Sequence, residues 1–237
     1  MIKMIKSYNA YTSKLIVFLA YVLFPVVMIS LFSILTVFIK TTDLQEFNVI
    51  ITVLMALVMA YLIVVNGLAD RFSIGTILVN NLQANEMVKT SPKGKKTILN
   101  VVTWDIFVKF FSTVAVFLGI FIARFYFRQG KVSELVGIMM ICVFSTHFIC
   151  SLVCWICRKI ESTSIAVIIQ SIGTLQIVPF IIISVLPVKA VPVWISGPVA
   201  AVYLILDVIV NVAGILILKG FIKKSWYKDV KSKGLER

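Results

Sequence analysis

Six long stretches almost free of charge dominate the sequence and limit what it can fold into. They cover residues 15–39, 49–68, 106–123, 135–156, 165–188 and 199–218. A hydrocarbon layer about 30 Å thick is crossed by a helix of roughly 20 apolar residues, and each stretch is near that length. Composition agrees, with 60% hydrophobic and 14% charged residues, because a soluble domain is about 45–50% apolar and about a quarter charged. Both a water-soluble domain and a disordered chain are therefore excluded. The expected fold is an all-α integral membrane protein, one transmembrane domain over residues 1–237 with six transmembrane helices in a cell membrane.

Charge sets the expected orientation. The net charge of +13 does not mark nucleic-acid binding, since the basic residues cluster between apolar runs instead of along one wet face. Short cytoplasmic loops carry the Lys/Arg excess. With the start of the chain inside, 18 of the 23 basic residues are cytoplasmic, so both termini are expected there. Trp104 and Trp155 are read as interfacial anchors at inner ends, and Lys109, one turn inside the third stretch, as a lysine that snorkels to the interface. The first stretch is 25 uncharged, mostly apolar residues long, beyond the roughly 7–15 of a signal peptide, and reads as a retained helix. Ahead of it, Ile2, Ile5, Tyr8 and Leu15 share a helical spacing against Lys3, Lys6 and Ser13, which predicts an amphipathic helix on the inner leaflet. Residues 219–237 form a basic cytoplasmic tail.

Catalytic motifs are missing. KGKKT at Lys93–Thr97 lacks the first glycine of a phosphate-binding loop, and Lys96 stands where Ser or Thr is needed. The chain is thus expected to be no enzyme and to hold no cofactor or metal of its own. Cys150, Cys154 and Cys157 follow His147 on one helical face. That stripe runs roughly 15 Å at about 1.5 Å per residue, too long for one ion, so the cysteines are expected to pack as small apolar groups, and disulfides are not expected. His147, in the fourth stretch, and Asp207, in the sixth with Asn211 one turn on, are polar groups near mid-membrane. An ionised side chain there costs about 2.5–3.5 kcal/mol at least, so such residues are candidates for a substrate pathway or, alternatively, for interhelical hydrogen bonding. Gln170 and Gln176 join that candidate set.

The loop at residues 69–105 is the longest on the inner side. Its first half places Phe72, Ile74, Ile77, Leu78, Leu82 and Met87 near helical spacing. Ser91-Pro92 then forms a cap with a first-turn proline, opening a helix that runs through the basic cluster into the third stretch.

The segment Thr90–Asp105, TSPKGKKTILNVVTWD, resembles the inner loop of permease subunits of the type-2 ABC exporter family, with matches at Ser91, Pro92, Lys95, Lys96 and Ile98. Arg71 with Gly75-Thr76 is similar to a further pattern of that family. The resemblance implies a transmembrane subunit, dimeric with itself or with a second permease, that exports a hydrophobic or amphipathic cargo (peptide or lipid-like) when a separate ATPase hydrolyses Mg-ATP. It places a coupling helix in the inner loop, with Leu82, Glu86, Met87, Val88, Lys89, Ser91 and Pro92 as contacts to the ATPase. Two other readings stand beside it: a proton-coupled carrier using Asp207 and His147, and a non-transporting membrane immunity or scaffold protein. Lipid is the other partner expected, and no nucleic acid.

Overall fold

The computed structural model describes residues 2–38, 44–71, 74, 91–128, 132–158, 163–175 and 193–225. Among these the protein is all-helical. Helix α1 spans Ile2–Tyr11. Helix α2, Lys14–Phe18, passes through a widened π-helical turn at Leu19–Leu23 into α3, Phe24–Phe38. That turn precedes Pro25, whose ring nitrogen has no proton for the helical ladder, and a widened turn absorbs the mismatch. Then follow α4 (Leu44–Asp70), α5 (Gly94–Arg128), α6 (Val132–Cys157), α7 (Thr163–Thr174) and α8 (Val193–Ser225).

Among the described residues four segments are long and apolar enough to cross a membrane: Lys14–Ile34, Gly94–Ile122, Val136–Cys157 and Gly197–Gly220. The protein is a multi-pass membrane protein. Its lipid-facing surface is correspondingly apolar, with Val26 56%, Phe111 63%, Ile205 58% and Leu216 60% exposed.

The Ser91-Pro92 turn opens one helix that runs into the third stretch, as expected, and one other boundary shifts. The helix carrying the third apolar stretch is 35 residues long and begins at Gly94, directly after a turn in which the Gly94 N–H donates to the Ser91 carbonyl at 2.9 Å. The last helix does not break at Gly197-Pro198; it starts at Val193 and runs through Pro198. A proline so near a helix start removes one hydrogen bond from a region where few exist to lose, so the helix continues. Of the expected fifth span, α7 covers the first part.

Helix α5 is the centre of the bundle, flanked by α1, α3, α6 and α8, while α4 lies on α6 and α7 on α4. One apolar cluster joins Phe32, Met59, Leu62, Phe117, Ile120 and Val143 across α3, α4, α5 and α6. A second joins Tyr8 of α1 and Ile74 to Ile98, Val101 and Val102 of α5 and to Leu218 and Ile222 of α8. The first is the core of the bundle, and the second ties α1 and the far end of α8 to the entrance of α5.

Candidate functional site

Among the described residues two polar assemblies interrupt this apolar packing, one at the α1 end of the bundle and one deeper. The first contains four charges. Asp70 is the last residue of α4, Asp105 and Lys109 are one turn apart on α5, and Arg158 follows α6. Their side chains are only 1–4% exposed. The Lys109 ammonium donates to Asp70 Oδ1 at 2.6 Å and to Asp105 Oδ2, with Cys154 Sγ at 3.5 Å as its third neighbour. Arg158 grips Asp70 through two nitrogens, Nε to Oδ2 at 3.1 Å and Nη2 to Oδ1, and reaches Asp105 Oδ2 at 2.8 Å. Two acids and two bases make the cluster neutral. Burial is tolerated because every charge has partners in a geometry that replaces water.

Tyr8 closes the cluster from outside by donating its hydroxyl to Asp105 Oδ1 at 3.4 Å. Burial, and then the neighbouring Asp105, pushes the Tyr8 phenol far above its ordinary value, so it keeps the proton it donates. Burial by itself would lower the Arg158 guanidinium, but Asp70 and Asp105 beside it hold it above its usual range.

Here the expectation for Lys109 is corrected. Instead of snorkelling outward, Lys109 turns inward and is 3% exposed, because two carboxylates at its own depth on α4 and α5 offer more than the interface does. Asp70, Asp105, Arg158 and Tyr8 were not singled out from the sequence as site residues. The available signal was the Asp105/Lys109 spacing of four, which places both on one helical face.

The second assembly brings together three residues expected near mid-membrane. His147 Nδ1 lies 2.8 Å from Asp207 Oδ2, and its Nε2 faces the Ile106 carbonyl at 3.3 Å. Asn211 donates through Nδ2 to Asp207 Oδ1 at 2.9 Å and to Ser151 Oγ at 3.1 Å, and its Oδ1 accepts from Trp155 Nε1 at 3.2 Å. Trp155 is thus no simple interfacial anchor. Its ring fills the space left by Gly214, where a Cβ would come within 2.2 Å of it, and it carries the Arg158 guanidinium 4.8 Å from its centroid. A continuous chain of contacts therefore runs from the four-charge cluster through Trp155 and Asn211 to Asp207.

Asp207 and His147 form the floor of a groove of about 260 Å³ between α5 and α8, walled by Phe107, Phe110, Val208 and Val212. Phe110 meets the imidazole edge-on at 5.2 Å.

Gln170 is elsewhere. It is buried against Gly67 of α4, where a Cβ would come within 2.5 Å of its Nε2, so it belongs to the α4/α7 contact. Gln176 and the coupling candidates Leu82, Glu86, Met87, Val88 and Lys89 lie outside the described residues, whereas Ser91 and Pro92 form the turn that opens α5.

All four cysteines are buried free thiols. They do more than fill space, since Cys150 Sγ accepts from Asn66 at 3.6 Å and Cys154 touches Lys109. Among the described residues no three His, Cys, Asp or Glu side chains converge as a metal site.

No family model, curated protein or solved structure matches the chain.

Proposed function

We propose that this protein is the transmembrane subunit of an ATP-driven exporter of the type-2 ABC kind, moving an amphipathic cargo across the cell membrane while a separate subunit hydrolyses Mg-ATP. In this reading the chain crosses six times with both termini cytoplasmic. Helix α4 and the segment that begins with α7 supply the two crossings beyond the four long apolar helices. The observation that carries the proposal is the continuity of α5. It starts at the Ser91-Pro92 turn, passes Lys95 and Lys96, and enters the bundle without a break as far as Arg128.

A push on the Ser91 end is carried along one rigid rod to the groove wall at Phe107 and Phe110. The four-charge cluster ties that rod to α4 and α6 just where it enters. An amphipathic helix at residues 82–89 would seat its apolar face in a groove of the ATPase.

The test is co-purification of an ATPase with the tagged chain, and ATP turnover of the assembly in nanodiscs. Met87→Asp with Lys89→Glu, which puts two anions onto the expected contact, is expected to abolish both while the protein remains inserted and monodisperse. Retained binding and turnover would place the coupling element elsewhere.

The 2.8 Å His147–Asp207 contact favours a second reading, a carrier that moves a proton through this pair. The two readings separate by energy source. Transport that persists without ATP and follows an imposed proton gradient selects the carrier.

A further inference from the structure

We infer that the groove between α5 and α8 binds an amphipath carrying a primary ammonium, with the ammonium on Asp207 and the hydrocarbon between Phe107 and Phe110 on one wall and Val208 and Val212 on the other. As the identity of a cargo this rests on the exporter reading. As a binding site it rests on the groove alone.

Hydrogen-bonding supply and demand decide the ligand chemistry. Both donors of the Asn211 amide are engaged by Asp207 and Ser151, and the Trp155 N–H is engaged by Asn211. His147 turns one nitrogen to Asp207 and the other to the Ile106 carbonyl, so it offers nothing to a ligand. The Thr103 hydroxyl, also on the groove, donates to the Leu99 carbonyl at 2.7 Å. What is left unfilled is acceptor capacity. A carboxylate has about four lone-pair directions, and Asp207 uses one on each oxygen. Its side chain is 9% exposed against 2% for His147, so of that pair Asp207 is the more open to the groove.

The site therefore asks for a donor and has none to give to an anion. Among the described residues no lysine or arginine lines the groove, so the N–H donors that fill the spare lone pairs of Asp207 come from the ligand, and a primary ammonium brings three of them. A hydrocarbon part is demanded by the four apolar wall residues and by the opening toward lipid-facing Val208 and Val212, 52% and 51% exposed. Apolar walls with a few placed polar atoms are the usual make-up of a small-molecule site.

Trp155, hydrogen-bonded to Asn211, provides the readout. The chain in nanodiscs, with Trp104, Trp194 and Trp226 changed to Phe, is titrated with terminally brominated dodecylamine, and quenching of Trp155 is followed. Brominated dodecyltrimethylammonium, which keeps the charge but has no N–H, and brominated dodecyl sulfate are the comparison probes. Saturable quenching by the amine, at least tenfold tighter than by either comparison probe, is expected. Asp207→Asn should weaken it at least tenfold. Val212→Phe, an outward-facing change that narrows the groove and leaves the polar network untouched, should do the same. Equal quenching by all three probes, or amine binding that Val212→Phe leaves unchanged, would overturn the inference. Binding needs neither ATP nor an ATPase, so a chain that binds the amine but recruits no ATPase would refute the exporter reading alone.

Discussion

The ammonium of Lys109 stands 2.6 Å from a carboxylate oxygen of Asp70, joining residues 39 positions apart inside an apolar bundle. That pair, with Asp105 and Arg158, makes the entrance of α5 a neutral knot of four charges that ties α4, α5 and α6 together. Well-packed apolar residues can equal such a knot in stability, but removing one member leaves a buried charge without its partner.

Lys109→Met is accordingly expected to destabilise the protein by about 3–5 kcal/mol, read as a fall in the thermal unfolding midpoint in nanodiscs. Adding Asp105→Asn to it removes the charge that was left over and should recover part of the loss. A double variant no better than the sum of the two single changes would show that the pair is not energetically coupled.

Tyr8→Phe deletes one long hydrogen bond and leaves the ring packed on Val101 and Val102. The expected loss is small, about 0.5–1.5 kcal/mol. Hydrogen exchange should localise it, with faster exchange over Ile2–Tyr11 and little change in α6. Uniform acceleration through the bundle would mean that the hydroxyl supports more than the docking of α1.

Gly214→Val drives a branched side chain into the Trp155 ring. Overpacking of this kind typically costs about 1–3 kcal/mol, and here it should also separate Trp155 from Asn211. A blue-shifted or red-shifted Trp155 emission in the single-tryptophan background would report the displacement. Unchanged emission and stability would show that α6 and α8 slide apart freely at this contact.

Orientation is open to direct labelling. The four native thiols are buried, so a cysteine introduced at Lys95 or at Gln129 should dominate modification by a membrane-impermeant maleimide. Labelling at position 129 and protection at 95 in intact cells is expected, and the opposite pattern would reverse the chain in the membrane.

Much of the fold was legible because membrane insertion is a local property. Each apolar stretch carries its own transfer free energy, so the four long helices and the start of α5 after Ser91-Pro92 could be read residue by residue. His147, Asp207 and Asn211 were visible for the same reason, as polar residues inside runs that should hold none. Their meeting was not visible. His147 and Asp207 are 60 positions apart, and the contact depends on how α6 and α8 are rotated about their axes.

In lipid no hydrophobic force selects which apolar face turns inward; close packing and polar contacts do that, and here they include the seat of Trp155 on Gly214. The same reason explains Lys109. From the sequence alone its charge marked a helix end near the interface, since a lone lysine there has water to reach. Only the tertiary structure brought Asp70 and Arg158 to its depth, and with those partners in place the inward rotamer replaced water. Sequence therefore determined that this chain enters a membrane and which residues are costly inside it. Tertiary packing decided which of those costs cancel one another, because cancellation requires atoms within about 3 Å and no local pattern sets a distance between helices.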